Sequence, residues 1–441
     1  MEKGRKKKIG IIGGGAAGMT AAIAAARQGA DVTILEGNEK PGRKILATGN
    51  GKCNLGNRQL DTSWYYTKDP DILKACLEQF GTPQTIAFFQ GMGLMIREKA
   101  GYLYPASEQA AVVARVLQIE LDTLGVKVEG GCRVQGIFRT DPGHRGETGG
   151  TKKGKGLAGG LPRQTGPGFQ VDGVRTGGEA VSHYFDRVIL CCGGRAAPRT
   201  GSDGSGYELA ARLGHRIAPV VPALVQLKCR ETFFRRVAGV RADAQIAVYH
   251  GARLLATERG ELQITEYGIS GIPVFQLSRV VNYILAEKGG EVKAVIDFFP
   301  DYQEDAYKRF CASRALLQDG RSVEAFFTGM LNQKLMGLFL HLAGVTDGSI
   351  PVSEVPSRIL QRVYQLCRGW EVHVTGSNSY DSAQVCAGGV PLCEITDRME
   401  SRLVPGLFLA GELLDVDGKC GGYNLQWAWC SGYLAGMGAV Q

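Results

Sequence analysis

No stretch of the chain approaches the ~18 consecutive apolar residues that a membrane helix needs, so membrane insertion is not expected. The N-terminus is basic, but a glycine turn interrupts the apolar segment behind it, which argues against a secretory signal. Twelve cysteines occur without one CxxC and without Cys/His ligand spacing. That excludes a disulfide scaffold and a zinc finger, no metal is expected, and the thiols read as reduced ones in a cytoplasmic protein. Histidine is scarce: six are scattered along the chain, and His215 and His373 read as capping or packing residues. No Ser-His-Asp constellation is supported. Charge of one sign is not dominant either, with 51 Lys and Arg against 43 Asp and Glu. Part of the surplus lies in Lys3, Arg5, Lys6, Lys7 and Lys8, which face only Glu2. This reads as a solvated tail, and nucleic acid is not an expected partner. Nothing in the sequence sets an oligomeric state.

Glycine, by contrast, is abundant: 63 of 441 residues, about twice its ordinary share. No Gly-X-Y period accompanies it, so collagen is excluded. Apolar residues at 44% and charged residues at 21% are ordinary globular values. The length suits two or three structural units. Excess glycine in such a chain points to turns where backbone approaches something closely, and a phosphate-rich cofactor is one such thing.

Residues Lys8 to Ile12 read as a buried strand ending on Gly13-Gly14-Gly15-Ala16-Ala17-Gly18. A helix from Ala16 to about Gln28 follows, closed by Gly29, and then a second strand from Asp31 to Glu36. A hairpin is expected from Cys132 to Thr140 and from Phe169 to Val174. Between its arms, residues 141–168 hold ten glycines in 28 residues and read as a mobile loop. Asp186 to Cys192 is another buried strand, ending on Gly193-Gly194. From Arg195 to Trp370 the texture changes to short alternating strands, then helical patterns over Gln276–Leu285 and Gln303–Leu342. The last stretch returns to strand, turn and helix: Gly406–Ala410, a glycine-rich turn, then Tyr423 to about Met437.

A Gly13-x-Gly15-x-x-Gly18 match alone is weak, but here a strand precedes it, a helix follows, and Glu36 ends the next strand. Gly13 allows the tight turn, Gly15 lets backbone reach a pyrophosphate, and Gly18 lets helix pack on strand. The helix N-terminus offers amides and partial positive charge to that pyrophosphate. Glu36 suits a ribose 2′-hydroxyl and repels a 2′-phosphate. A nicotinamide domain is ordinarily completed by neighbouring βα units, whereas this chain leaves the sheet and returns twice. That pattern fits FAD in an extended pose. Gly201 to Gly206 is glycine-rich but lacks the fingerprint, so a dedicated NAD(P)H domain is not expected.

Several further segments together resemble a bacterial family of NAD(P)/FAD-dependent oxidoreductases, the aminoacetone-oxidase-like FAD-binding flavoproteins, which includes a bile-acid reductase. The resemblance rests on IGIIGGGAAGMTAAIAAARQGADVTILE, on GRKILATGNGKCNLGN (42–57), on YPASEQAAVVARVL (104–117) and on ILCCGGRAAPRTGSDGSGYELAARLGH (189–215). It continues through TEYGISGIPVFQLSR (265–279), AGGVPLCEIT (387–396) and PGLFLAGELLDVDGKCGGYNLQWAWCSGYLAG (405–436). Two departures stand out: the long 141–168 stretch, and Cys191-Cys192 where related flavoproteins carry Ala-Thr. The vicinal pair reads as small buried side chains rather than a redox couple.

The resemblance implies an α/β fold: a discontinuous Rossmann-like FAD-binding domain (1–194 and 371–441) with an inserted β-barrel-like plus helical substrate domain (195–370). It implies tightly bound, non-covalent FAD, with NAD(P)H as a transient electron donor. FAD contacts are expected from Gly13, Gly15, Ala16, Ala17, Gly18, Glu36 and Gly37, and from Arg43 and Lys44 near the pyrophosphate or the flavin edge. The turn Thr48, Gly49, Asn50, Gly51, Cys53 and Asn54 would approach the isoalloxazine, and Val134 would meet adenine. Cys192, Gly193 and Gly194 are further expected FAD contacts, and Gly411 and Glu412 would lie at the ribityl or pyrophosphate region. Gly421, Gly422, Tyr423, Asn424 and Leu425 would point a helix N-terminus at the flavin pyrimidine.

For a proton donor the candidates are Lys44, Tyr423, Tyr102 and Tyr104. The favoured activity is reduction of an activated C=C bond in a hydrophobic, steroid- or bile-acid-like enone. A flavin amine oxidase using oxygen and an RNA-associated flavoprotein are the alternatives.

Overall fold

The computed structural model describes residues 5–140, 167–287, 289–302, 305–315 and 320–441, and these fall into two compact units. The first comprises residues 1–220 and 388–441, the second residues 221–387. The expected loop at 141–168 lies outside the described residues except for its last two.

The first unit is organised by strand β1 (Lys8–Ile12), helix α1 (Ala16–Arg27), strand β2 (Asp31–Leu35) and the short helix α2 (Arg43–Ala47). Strands β3 (Lys127–Glu129), β4 (Cys132–Thr140), β5 (Gly168–Arg175), β6 (Ala180–Phe185) and β7 (Arg187–Leu190) follow. Residues near the C-terminus add strand β8 (Leu407–Leu409) and helix α3 (Tyr423–Val440). A five-stranded parallel sheet runs β8-β7-β1-β2-β3, and β6-β5-β4 form a separate antiparallel sheet. Beyond their first residues, β1, β7 and β8 are apolar and buried, as strands covered on both faces require, whereas edge strand β3 (Lys127–Glu129) is charged and largely exposed. Ile11 pairs in register with Ile189 on one side and Ile34 on the other, and all three are fully buried.

Helix α1 can lie close to α3 because both present small residues. A β-carbon on Gly432 would come 2.3 Å from the Ala17 carbonyl oxygen, and one on Gly436 would come as near to that of Ala21. The crossing therefore fixes α1, and with it the turn at its start.

The second unit is a closed six-stranded barrel of segments 227–229, 268–271, 253–265, 241–250, 292–297 and 370–377. Helices Ile272–Glu287, Ala306–Ala315, Val323–Phe327, Gln333–Leu342 and Ser357–Arg368 accompany it. The continuous helical pattern expected over 303–342 is thus broken, with left-handed Gly320 and Gly329 among the interruptions. The barrel-plus-helix character matches the expectation, but the junctions lie deeper in the chain than 194/195 and 370/371. Strand 370–377 closes the barrel, and segments 221–223 and 385–387 pair antiparallel where the chain enters and leaves. Residues 195–220 stay with the first unit.

Candidate functional site

The site is built on the turn between β1 and α1. Gly13 has φ +98°, and a β-carbon there would sit 2.6 Å from the Cys191 carbonyl oxygen. One on Gly18 would sit 1.9 Å from the carbonyl oxygen of Gly13. Both glycines are therefore demanded by the protein's own packing. Gly15 is different: its φ of −77° is ordinary, and a β-carbon would meet nothing within 4 Å. The space beside it is open, and the first turn of α1 carries neither a side-chain cap nor an acidic residue. Ala16, Ala17 and Gly18 open a helix whose amides suit an anion at that point.

Glu36 is buried and held from two sides. One carboxylate oxygen accepts the Gly14 amide at 2.6 Å, and the other accepts the Asn38 amide at 2.8 Å and the Asn38 side-chain amide at 2.7 Å. An ionised carboxylate has about four acceptor positions, so about one is left for a ligand hydroxyl. Asn38 also donates to the Thr200 carbonyl at 3.1 Å and accepts from Arg43 at 3.0 Å. It joins the end of β2 to the 193–204 segment, where Gly193 packs so tightly that a β-carbon would lie 2.6 Å from the Ser202 hydroxyl. Gly37 is exposed beside it. Asn38 was not among the sequence candidates. An amide two residues past the strand end is a common turn residue, and nothing in spacing marks its three partners.

On the other side of the turn, Lys44 pairs with Glu412 at 2.6 Å. Gly411, at φ +76°, abuts Ala17, and its amide is held by the Ser431 hydroxyl at 2.9 Å. Glu412 also borders Gly194, where a β-carbon would come 3.0 Å from its carboxylate. Val134 is buried on β4, next to Arg133, which pairs with Asp203. Cys192 lies against Gly206, and burial pushes its thiol up to about 12 and raises that of Cys191 as well. Neither is a thiolate at neutral pH, which fits the packing role expected for the pair.

The 48–54 turn is unusual in its backbone: Gly49, Asn50, Gly51 and Cys53 all have positive φ. Thr48 closes it by donating to the Ile45 carbonyl at 2.6 Å and accepting the Cys53 amide at its own carbonyl at 3.1 Å. Cys53 is fully buried, which pushes its thiol up to about 11. The side-chain oxygen of Asn54 is buried without a protein partner. It lies where a β-carbon on Gly422 would approach to 2.8 Å, at the start of α3.

Tyr102 and Tyr423 meet at Gly421, whose hypothetical β-carbon would be 3.0 Å from each ring. Tyr423 is buried, its ring edge-on to Trp64 and Tyr65 at 5.1 and 5.9 Å, and its hydroxyl donates to the Gln59 carbonyl at 3.3 Å. Burial pushes its pKa up. Tyr102 and Tyr104 are half-buried, and burial raises the pKa of Tyr104. Asn424 clamps Gly418 with two hydrogen bonds, and Leu425 is half-buried. Lys44 belongs instead to the Glu412 side of the cradle.

A buried polar chain that the sequence reading lacked joins Ser401, His215 and Glu394. His215 is 2.8 Å from the Glu394 carboxylate and 2.9 Å from the Ser401 hydroxyl. The order resembles a hydrolytic triad, but Ser401 already accepts the amides of Leu403 and Val404 at 3.1 and 2.9 Å. It is a clamp, and His215 packs as expected. His373, in the second unit, bonds Glu231 through both its amide and its ring, at 2.9 and 2.7 Å.

An open space beside Gly15, an uncapped helix start, a buried acid with spare acceptor capacity and an orphaned buried amide oxygen all fit a dinucleotide. Fold and cradle together define the class: a Rossmann-like, FAD-binding α/β protein with an inserted barrel. The chain belongs to the family described as HI0933-like protein Rossmann domain, which it matches over residues 7–154 and 169–438. It is similar, at 43% identity over 98% of this chain and 99% of the relative, to a 3-dehydro-bile acid delta(4,6)-reductase of Clostridium scindens. At 28% identity, over 97% of both chains, it is similar to a ribosomal RNA dihydrouridine synthase of Haemophilus influenzae. Among solved structures, the 3-ketosteroid delta1-dehydrogenase of Sterolibacterium denitrificans shares the fold, with TM-score 0.50 and 13% identity over 99% of this chain and 100% of that one.

Proposed function

We propose that this protein is an FAD-dependent oxidoreductase that reduces a C=C bond conjugated to a carbonyl, in a hydrophobic steroid-like molecule of the bile-acid class. NAD(P)H supplies the electrons, and the setting is cytoplasmic, in keeping with twelve free thiols. The observation that carries this reading is the 43% identity, over nearly the full length of both chains, to a bile-acid delta(4,6)-reductase.

FAD is held without a covalent bond, and the chemistry it supplies when bound is hydride transfer to a polarised carbon. The chain's own residues do the holding. Amides at the start of α1 take the pyrophosphate, Glu36 takes a ribose hydroxyl, and the 48–54 turn and the start of α3 face the flavin ring. Among the proton-donor candidates Tyr102 is favoured. It is half-buried like Tyr104 but, unlike it, borders Gly421 at the start of α3, whereas the Tyr423 hydroxyl is already committed to a carbonyl and Lys44 to a carboxylate.

The similarity to a ribosomal RNA dihydrouridine synthase favours one second reading. Uracil also carries a double bond conjugated to a carbonyl, so the same site chemistry would act on a base in RNA. One experiment separates the two. FAD-loaded protein is bleached anaerobically with NADH or NADPH, then mixed with a 3-oxo-4-ene steroid or with ribosomal RNA. Rapid reoxidation by the steroid and none by RNA is the expected outcome. Reoxidation by RNA alone would transfer the assignment to the second reading. Failure of both nicotinamides, or of every enone, would remove the first.

A further inference from the structure

Lys44 and Glu412 lie 368 residues apart in sequence and meet at 2.6 Å. Each belongs to a segment fixed to the glycine turn. The N-cap of Lys44's helix, Gly42, donates to the Gly14 carbonyl at 2.8 Å, and a β-carbon on Gly14 would strike Pro41 at 2.7 Å. Glu412 follows Gly411, which abuts Ala17. The ion pair thus joins segments anchored on either side of Gly15, the one glycine of the fingerprint that opens on space. Both side chains are about four-fifths buried, with 24% and 19% of their surface exposed, so solvent screens the pair only in part.

This position poses an electrostatic problem. A pyrophosphate at the start of α1 brings two negative charges to a place where a carboxylate already stands. A largely buried carboxylate near such a group repels it unless a cation is shared between them. We infer that Lys44 is a positioning residue whose main task is to neutralise Glu412, so that an acid can stand beside the cofactor's diphosphate. The inference rests on the FAD reading. It differs from direct phosphate binding by Lys44 in one respect: the damage done by losing Lys44 must depend on Glu412.

The test is FAD affinity, measured by fluorescence quenching on four proteins: wild type, Lys44→Met, Glu412→Gln and the double variant. Melting of each FAD-free protein shows whether it folds. Lys44→Met is expected to bind FAD at least about tenfold more weakly. Adding Glu412→Gln to it is expected to restore affinity to within about threefold of the Glu412→Gln protein. A double variant as weak as Lys44→Met would overturn the inference, because lysine would then act on the ligand alone. Unchanged affinity in Lys44→Met would overturn it as well. Wild-type protein unable to take up FAD would defeat the cofactor assignment itself, an outcome distinct from either.

Discussion

The Glu36 carboxylate accepts the backbone amide of Gly14 at 2.6 Å, which ties the acid at the end of the second strand to the glycine turn after the first. Its other oxygen is oriented by Asn38, whose side chain reaches on to Thr200. Asn38→Ala keeps the amide bond to Glu36 and deletes both side-chain donations. A hydrogen bond to a charged group contributes about 1.5–3 kcal/mol, so FAD affinity should fall roughly tenfold or more. Titration with FAD measures this, and a dissociation constant within twofold of wild type would show that Glu36 is aligned without Asn38.

The glycines of the fingerprint separate by function. At Gly18 an added methyl group collides with the Gly13 carbonyl oxygen at 1.9 Å, so Gly18→Ala must shift backbone and should lower stability by about 3 kcal/mol or prevent folding. Gly15→Ala meets no protein atom and keeps an allowed φ. Its cost to the apoprotein should stay within about 1 kcal/mol, while FAD binding drops because the methyl group fills the space that opens there. Denaturant melts of both apoproteins, alongside FAD titrations, check the contrast. Equal destabilisation by the two, or intact FAD binding in Gly15→Ala, would refute it.

Much of this architecture is legible from local pattern. Strands β1, β2 and β7 are short and, after one charged residue at the start of each, almost entirely apolar and buried, and the strand-glycine-helix order fixes the parallel connection. Other features needed three dimensions. The 193–206 segment is rich in glycine and has no periodicity, so nothing local says that it folds back against Asn38. The ion pair of Lys44 with Glu412 and the clamp of His215 with Glu394 join residues far apart in sequence, each with an unremarkable neighbourhood. The junctions were displaced for a related reason: residues 371–377, expected with the FAD-binding domain, belong to a strand that pairs with distant segments to close the barrel of the second unit.

Cys191 and Cys192 stand at the end of a strand against the glycine turn. Burial pushes the Cys192 thiol up to about 12, with the nearby carboxylates of Glu36 and Asp203 adding to it. Cys393 is exposed. Since the thiolate is the reactive form, alkylation of the native protein at pH 8 should modify Cys393 readily and the vicinal pair more than about a thousandfold more slowly. Peptide mass spectrometry over a time course reads this directly. Early labelling of Cys192 would mean an accessible thiolate and would restore a redox role for the pair.

The clamp around Glu394 carries a pH dependence of definite sign. Burial alone would raise its pKa, but hydrogen bonds from Arg216 and His215 outweigh that and hold the carboxyl below its ordinary 4.5. A folded value below the unfolded one means that the contribution is complete above pH 4.5 and is lost as pH falls through the folded value. Arg216 is largely exposed, so its pair with Glu394 is discounted for solvent, and Glu394→Gln should cost about 1–3 kcal/mol at pH 7. The same variant should lose less stability on acidification than wild type, because it has no carboxylate to protonate at that position. Urea melts between pH 7 and pH 3 test both statements together. Parallel stability curves for the two proteins would mean that Glu394 titrates alike in the folded and unfolded chains, and the clamp would then be neutral packing rather than a charged tie.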